Sequence, residues 1–291
     1  MLGECFKVSS GVRQGGVLSP YLFAFYIDDI IDDVKESGYG IYIGSLFLGC
    51  ILYADDIVLL SVSCTGLQQM VNACAEYGRL WDIKFNSSKS YVITFGGGYS
   101  SSTRISLDNV DLKRVVKLKY LGCYFCERTC KVDFSYGINK FYGNFNNIMS
   151  VIGYGRNEMA TLHLAKTYCA PAAMYGCETW HLDRSDYHRL NVAWNNSFRR
   201  IFGCCWRESV ACLQFYCHTL PMAYMIDQRK ILFWKKVLMC GIQVVRTLAI
   251  LNKGNIGMIL SKYAIPSLAV SVADIKNRMW MHFVDASYDK L

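Results

Sequence analysis

The chain contains the stretch Ile51-Leu52-Tyr53-Ala54-Asp55-Asp56-Ile57-Val58-Leu59-Leu60, in which two adjacent acidic residues interrupt an apolar sequence. Its β-branched and aromatic residues predict two short strands joined by a tight turn at the acidic pair. Because an unpaired buried charge costs free energy, we expect the turn to hold Asp55 and Asp56 at the edge of a sheet. Carboxylate oxygens there suit Mg²⁺, and two such ions about 3.5–4 Å apart stabilise the attacking and leaving oxygens of phosphoryl transfer. Taken alone, residues 53–56 favour the alternative, a surface hairpin with a polar turn.

A glycine-containing block precedes this hairpin, Gly11-Val12-Arg13-Gln14-Gly15-Gly16-Val17-Leu18-Ser19-Pro20. Its glycines allow the backbone to come close to a ligand, and Arg13 and Gln14 supply donors for phosphates or base edges. The helix that we expect after Ser19 favours anions at its N-terminus. The alternative is an ordinary glycine turn that begins a helix.

Hydrophobic periodicity predicts an α+β chain with a helical second half. The expected order up to residue 125 is helix Tyr21–Glu36, strand Ile41–Leu48, the strand-turn-strand Cys50–Ser61, helix Leu67–Trp81, strand Tyr91–Phe95 and extended Val115–Phe125. Further helices are expected near 134–152, 158–182, 185–203, 208–217 and 222–240.

Composition excludes a disordered chain, since 53% of the residues are hydrophobic and 19% are charged. The most apolar stretch, Ile41–Val62, is long enough to span a bilayer, but Asp55 and Asp56 at its centre oppose insertion. The N-terminus lacks the features of a signal peptide, and fourteen cysteines then indicate reduced thiols. We therefore expect a cytoplasmic or nuclear protein without a membrane span.

Acidic and basic residues are unevenly distributed along the chain. Residues 1–100 hold six Lys or Arg and ten Asp or Glu, whereas residues 101–291 hold twenty-five and thirteen. The net charge of +12 in the second part attracts phosphate backbones in a salt-dependent way. A solvated basic surface is the alternative to a nucleic-acid partner.

Four blocks in order resemble consecutive motifs of reverse transcriptases in their non-LTR (LINE-type) and group II intron forms. They are the glycine block 11–20, Tyr53-Ala54-Asp55-Asp56, Lys84-Phe85-Asn86-Ser87-Ser88-Lys89-Ser90 and Leu118-Lys119-Tyr120-Leu121-Gly122. Met174–Trp180 and Asn191–Gly203 resemble the region that follows the palm in non-LTR elements. The resemblance implies a partial palm over residues 1–130 and a helical thumb and C-terminal region over residues 131–291.

The same resemblance implies a role for each motif residue. Asp55 and Asp56 would be catalytic aspartates and Mg²⁺ ligands, and Tyr53 would lie against primer or template. Lys89 would protonate the pyrophosphate leaving group, with a solvated loop lysine as the alternative. Further residues would contact substrate or template: Arg13, Gln14 and Gly15 around the template and nucleotide, and Leu121 and Gly122 in a hairpin at the primer end. The implied partners are an RNA template, a DNA primer and a deoxynucleoside triphosphate.

One departure from the family concerns the third catalytic aspartate, which the family carries in a strand well before the glycine block. No residue among the twelve before Arg13 fits it, and the fingers are also missing. We therefore expect the αββαβ remainder of a ferredoxin-like βαββαβ unit, truncated at its N-terminus, with an incomplete two-metal site. Ile57–Ser61 and Tyr91–Phe95 would lose the strand between them, unless Cys5–Ser9 or a separate N-terminal fragment replaced it.

Two functions remain open on the sequence: an RNA-directed DNA polymerase domain that is inactive as an isolated fragment, and a non-catalytic nucleic-acid-binding remnant.

Two other clusters of side chains give weaker indications of function. Asp28, Asp29, Asp32 and Asp33 form either a metal site or, as we expect, a solvated helix face. Cys204, Cys205, Cys212, Cys217 and His218 suggest zinc, but they lack the paired spacing of structural sites. We expect Trp180, Trp194, Trp206, Trp234 and Trp280 to pack in the core or the thumb, with platforms for base stacking as the alternative.

Overall fold

The computed structural model describes residues 15–96, 104–127, 132–180 and 182–287. The chain forms two compact units, Met1–Val116 and Lys117–Leu291. The first mixes short strands with helices and the second is mainly helical, which confirms the α+β class. The predicted palm boundary at residue 130 stays a prediction.

The first unit contains three helices and four strand pairs in its described part. Its helices are α1 (Ser19–Ile27), α2 (Ile30–Glu36) and α3 (Cys64–Leu80). Its strands are β1 (Tyr42–Ile43), β2 (Leu46–Phe47), β3 (Cys50–Tyr53), β4 (Asp56–Leu59), β5 (Tyr91–Val92), β6 (Ser106–Leu107), β7 (Val110–Asp111) and β8 (Lys113–Arg114).

The helix expected over Tyr21–Glu36 is wrong as a single element, because it divides at Asp28-Asp29. The backbone N–H of Ile31 donates to Asp28 and that of Asp32 to Asp29, so the bonds there span three residues instead of four. Aspartate disfavours a helix interior because its carboxylate competes for backbone N–H groups. The expected apolar stripe nevertheless faces the core, and the four aspartates of this region are exposed.

The run Ile41–Leu48 is also not one strand. It folds back on itself as the hairpin β1–β2, with a turn at Gly44-Ser45. Gly44 has φ +60°, a left-handed conformation that glycine adopts without a Cβ clash. The long apolar segment is therefore two consecutive hairpins. The described residues contain no helix long and apolar enough to cross a membrane.

Helix α3 organises the core of the first unit. It begins after Ser63, whose hydroxyl accepts a hydrogen bond from the Gly66 N–H at 3.0 Å and so caps the helix. Met70 and Tyr77 on one side pack against α2 and β3, whereas Val71 on the other side packs against β6. The Tyr77 hydroxyl also donates to the carbonyl of Tyr26 at 2.9 Å, which ties α3 to α1.

Strand β4 pairs with β3 alone within the described ranges, and β5 pairs in parallel with β8. We expected Ile57–Ser61 and Tyr91–Phe95 to lack a shared central strand, and the described residues provide none. Cys5–Ser9, which might have replaced that strand, lies outside the described residues.

The second unit begins with the hairpin β9 (Lys117–Tyr120) and β10 (Cys123–Cys126). Its helices are α4 (Ser135–Ile152), α5 (Glu158–Leu164), α6 (Ala170–Ala173), α7 (Arg184–Phe202), α8 (Ala211–Tyr216), α9 (Met222–Leu238), α10 (Gln243–Leu251), α11 (Lys253–Lys262) and α12 (Val272–Ser287). A π-helical turn, Ala165–Cys169, joins α5 to α6. The expected helices near 134–152, 185–203 and 222–240 are confirmed, whereas the one near 158–182 ends at Ala173.

Two hydrophobic clusters stabilise the second unit. The larger joins α4 and α7 through aromatic rings, and its centre, Trp194, is fully buried and donates from Nε1 to the Leu220 carbonyl at 3.2 Å. The smaller joins α9, α11 and α12 around Ile231 and Ile275. Trp206 is 73% exposed, so its expected place in the interior is wrong.

Candidate active site

The acidic pair lies at the tip of the β3–β4 hairpin, as the sequence predicts. Tyr53 pairs with Asp56 across the strands, and Ala54 and Asp55 form the turn between them. Ala54 has φ +52°, a left-handed conformation that costs a residue other than glycine about 1–2 kcal/mol. Backbone strain of this kind occurs at functional sites and also in the tight turns of ordinary two-residue hairpins.

The strand register separates a core face of the hairpin from an open face. Leu52 and Ile57 are opposite each other and pack on the core with α2 and α3. Since side chains alternate along a strand, Tyr53 and Asp56 project from the other face together with Ile51. Tyr53 is 60% exposed and both aspartates are exposed. Their charges therefore remain in water, where no buried partner is needed.

Gly15 of the glycine block lies at an exposed turn before α1 and has φ +76°. An added Cβ at Gly15 would meet no atom within 4 Å, so backbone conformation and not crowding requires glycine here. Arg13 and Gln14, the other two predicted template contacts of this block, lie outside the described residues.

Lys89 ends a 3₁₀ turn, Ser87–Lys89, that Asn86 caps. The Asn86 Oδ1 accepts from the Lys89 N–H at 3.2 Å and from the Ser88 hydroxyl at 2.6 Å. The turn fixes the Lys89 backbone, while the side chain is exposed. Within the described part of the chain, the Lys89 ammonium forms no ion pair with either hairpin aspartate, so its role as a proton donor remains a prediction.

Leu121 and Gly122 form the turn of the β9–β10 hairpin in the second unit. Their φ values are +44° and +80°, which is the sign pattern of a tight two-residue hairpin turn. The Tyr175 hydroxyl donates to the Leu121 carbonyl at 2.8 Å. A Cβ added to Gly122 would approach Tyr175 Cε1 to 3.0 Å, so this position needs glycine for conformation and for space.

Metal binding depends on the carboxylates that the fold brings together. The described residues contain no group of three or more His, Cys, Asp or Glu side chains placed to hold a metal ion, and this includes the aspartates of α1–α2 and the cysteines around residue 210. Asp55 and Asp56 remain as a pair of exposed oxygen ligands. Mg²⁺ is commonly held by one or two carboxylates together with substrate phosphates, so the pair fits one such ion.

A buried polar network in the second unit was not predicted. Asp227 is 3% exposed and accepts from the hydroxyls of Tyr187 at 2.8 Å and Tyr263 at 2.7 Å, and it pairs with the Lys262 ammonium at 2.8 Å. Lys230 is also buried, and its Nζ donates to the Tyr187 hydroxyl at 3.3 Å. The sequence feature that could have predicted this network is the presence of two charged residues, Asp227 and Lys230, three positions apart on the apolar stripe of α9.

Comparison with known proteins gives a family match for the segment that contains the acidic hairpin. Residues 3–125 match the family described as reverse transcriptase (RNA-dependent DNA polymerase). This segment is similar to reverse transcriptases. It includes the glycine block, the acidic hairpin, the Lys89 turn and the β9–β10 hairpin, which are the four blocks that carried the resemblance.

Relatives extend the similarity beyond this reverse transcriptase segment. The chain is 24% identical over 217 residues to the RNA-directed DNA polymerase from mobile element jockey of Drosophila melanogaster, which covers 68% of this chain and 22% of the relative. It is 26% identical over 214 residues to the probable RNA-directed DNA polymerase from transposon X-element of the same species, covering 69% and 22%.

A third relative is the retrovirus-related Pol polyprotein from type-1 retrotransposable element R2 of Popillia japonica. It is 31% identical over 127 residues, which are 40% of this chain and 18% of the relative. The chain thus spans about a fifth of the length of the relatives that it matches. These relatives confirm the resemblance of residues 3–125 to the reverse transcriptases of non-LTR elements.

Proposed function

We propose that this chain supplies the two adjacent aspartates of the polymerase site in a retroelement RNA-directed DNA polymerase. The observation that carries the proposal is the strained, solvent-exposed turn that presents Asp55 and Asp56 at the tip of an otherwise apolar hairpin. Its substrates would be an RNA template, a DNA primer and a deoxynucleoside triphosphate, in keeping with the RNA-directed DNA polymerases to which the chain is similar.

Each residue of the site would contribute separately to the reaction. Asp55, in the turn, and Asp56, on the open face, would hold Mg²⁺, which when bound neutralises charge on the reacting phosphates. Tyr53, beside Asp56 on that face, would contact primer or template. Lys89 would donate a proton to the pyrophosphate oxygen that is released when the new bond to the α-phosphorus forms.

We further propose that the site takes at least one more carboxylate from outside the described residues. Two Mg²⁺ ions in a polymerase site need more oxygen ligands than one aspartate pair provides. A separate N-terminal fragment would supply that group. On this view the chain alone does not complete the two-metal site.

Primer extension on an RNA template tests both parts of this proposal. We expect the purified chain alone to incorporate no nucleotide above background. Incorporation that the change Asp55→Asn abolishes would contradict the need for a further fragment while supporting the role of the hairpin. Incorporation that Asp55→Asn leaves unchanged would contradict the site itself.

The second candidate function is nucleic-acid binding without catalysis, which the concentration of positive charge beyond residue 100 favours. Binding by phosphate neutralisation weakens steeply as salt rises from about 50 to 200 mM. An affinity for single- and double-stranded nucleic acid that falls over this range, together with hairpin aspartates that bind no metal, would favour this candidate over the polymerase.

A further inference from the structure

Helix α1 presents an apolar stripe to solvent. Tyr21, Leu22 and Phe25 follow Leu18 by three, four and seven positions, so the four side chains lie on one side of the helix. Tyr21 is 75% exposed and Phe25 is 86% exposed. The opposite side, through Ile27, packs on the core of the first unit. Because a surface helix ordinarily turns its polar side outward, an exposed stripe of this kind indicates an interaction surface.

The two ends of the stripe differ in charge. Residues 15–27 contain no acidic or basic side chain. Asp28 and Asp29, which follow them, are exposed and form no ion pair within the described ranges. At the other end, Leu18 is the N-cap residue of α1 and makes no capping hydrogen bond, so the partial positive charge of the helix start is not offset at that position. The stripe therefore runs from a partly positive end to a negative end.

We propose that this stripe binds the same stripe of a second copy of the chain, with the two α1 helices antiparallel about a two-fold axis. A two-fold interface is self-complementary, and the spacing allows it, since Phe25 of each copy would meet Leu18 of the other. The same arrangement brings Asp28 and Asp29 toward the start of the other copy's α1, where the helix dipole favours negative charge. One set of residues thus buries the stripe and pairs its two ends.

The area of the stripe suits a dimer of moderate affinity. Aromatic side chains bury about 150–250 Å² each, so Tyr21 and Phe25 with the exposed aliphatic residues at positions 17, 18 and 22 offer roughly 600 Å² per copy. Specific interfaces bury about 1,200–2,000 Å² in total, and two such faces reach the lower end of that range. We therefore expect a dissociation constant on the order of micromolar.

Other occupants match this surface less well than a second copy does. A nucleic-acid backbone requires positive side chains, and the stripe contains none. Helices that lie on membranes carry Lys or Arg beside their apolar side, whereas four aspartates follow this stripe at positions 28, 29, 32 and 33. The charge around the stripe therefore favours a protein partner, and the two-fold arrangement supplies one from the chain itself.

This inference goes beyond the proposed polymerase site. Association through α1 requires neither Mg²⁺ nor Asp55 and Asp56. Its failure and the failure of the polymerase proposal are therefore distinguishable, because the two depend on different residues and different measurements.

Sedimentation equilibrium of the full chain, at total concentrations from about 0.5 to 50 µM around the expected dissociation constant, tests the inference. The aromatic test variant combines Tyr21→Gln with Phe25→Gln. Its matched control combines Tyr168→Gln with Tyr216→Gln, which removes two exposed rings from the second unit. Circular dichroism checks that each variant keeps the helical content of the unaltered chain.

A second pair of variants tests the antiparallel arrangement without altering the apolar stripe. Asp28→Asn with Asp29→Asn removes the charges that would meet the other copy's helix start. Asp32→Asn with Asp33→Asn removes the same charge from exposed positions of α2 and is its control.

We expect the unaltered chain to form a dimer as its concentration rises. The aromatic variant should dimerise about tenfold or more weakly, because central aromatic side chains dominate interface energies, and its control should stay within about twofold. Asp28→Asn with Asp29→Asn should weaken the dimer about threefold or more through the lost helix-dipole interaction, and its α2 control should not.

Four results would overturn the inference. A monomer at every concentration would leave the stripe to a different partner, and species larger than a dimer would contradict a closed two-fold interface. Equal association by the aromatic variant and its control would exclude α1 as the interface. Equal association by the two aspartate variants would contradict the antiparallel arrangement.

Discussion

At the scale of single residues, Asp227 connects three helices of the second unit through its carboxylate. It accepts from Tyr187 on α7 and Tyr263 beside α11, and it pairs with Lys262 on α11. Burial and the adjacent Asp227 charge raise the pKa of both tyrosine hydroxyls, so these groups remain protonated donors. Removing the carboxylate would leave two hydroxyls and an ammonium without their acceptor.

Asp227→Ala should therefore lower the free energy of unfolding by about 1–3 kcal/mol, because the buried hydroxyls lose their acceptor while the Lys262 side chain, 46% exposed, stays hydrated. Urea denaturation followed by circular dichroism measures the change. Asp285→Ala, at an exposed position of α12, is the matched control and should change stability by less than about 0.5 kcal/mol. Similar values for the two variants would contradict the role of the network.

Asp133 should make the second unit sensitive to acid. The Lys117 ammonium and two bonds from Ser135 lower the pKa of its carboxyl from the ordinary value of 3.8 to about 2. A depressed pKa contributes stability that is fully present above the ordinary value and is lost as pH falls through the folded value. Unfolding measured from pH 5 to pH 2 should show this loss.

The variant Asp133→Asn is the comparison for that experiment. It lacks the titrating group, so its stability should decline less between pH 4 and pH 2 than that of the unaltered chain. Parallel declines for the two proteins would show that other carboxylates dominate the acid response.

At the scale of elements, the β9–β10 hairpin depends on glycine at its turn. Gly122→Ala should destabilise the protein by about 1 kcal/mol or more, since the residue has φ +80° and its new Cβ would approach Tyr175 to 3.0 Å. Gly155→Ala shares a left-handed conformation, with φ +65°, but its Cβ would enter open space. Thermal unfolding of both variants distinguishes the cost of backbone strain from the cost of crowding. An equal loss of stability in the two variants would show that the contact with Tyr175 does not contribute.

Sequence periodicity predicted the elements that carry strong local signals. The β3–β4 hairpin was predicted because a charged pair interrupts two β-branched runs, and α4, α7 and α9 because their apolar positions repeat with helical spacing. The division of the first helix at Asp28-Asp29 was missed because a helical stripe continues across it. The parallel pair β5–β8 was not predictable, since each strand has two residues and their pairing depends on tertiary contacts.

The functional residues differ in the same way, since some could be predicted from sequence and others depend on tertiary contacts. Asp55 and Asp56 could be singled out from sequence because they interrupt an apolar run, and because the resemblance of four motifs in order favours a site over a polar surface turn. The Asp227 network could not, because Tyr187, Lys262 and Tyr263 come from separate elements that only the fold brings together. Trp206 was misplaced because aromatic composition alone does not distinguish an interior ring from one that stacks with Arg207 at the surface.

At the scale of the whole molecule, acidic and basic regions have separate roles in this account. The residues before 100, with an excess of acidic side chains, contain the proposed metal ligands, and the residues beyond 100 have an excess of Lys and Arg. A polymerase needs both, since metal ligands position the reacting phosphates and basic groups hold the nucleic-acid backbone. In the proposed polymerase site, the hairpin aspartates are the metal ligands.

Binding of Mn²⁺, which like Mg²⁺ prefers carboxylate and phosphate oxygens, tests that claim most directly. The electron paramagnetic resonance signal of free Mn²⁺ would be recorded in the presence of the chain and a deoxynucleoside triphosphate. Three proteins would be compared: the unaltered chain, the hairpin variant Asp55→Asn with Asp56→Asn, and the α2 variant Asp32→Asn with Asp33→Asn. The last variant changes another exposed, adjacent pair. We expect the protein-dependent loss of free Mn²⁺ signal to disappear in the hairpin variant and persist in the α2 variant. Equal Mn²⁺ binding by the unaltered chain and the hairpin variant would contradict the assignment of Asp55 and Asp56 as metal ligands.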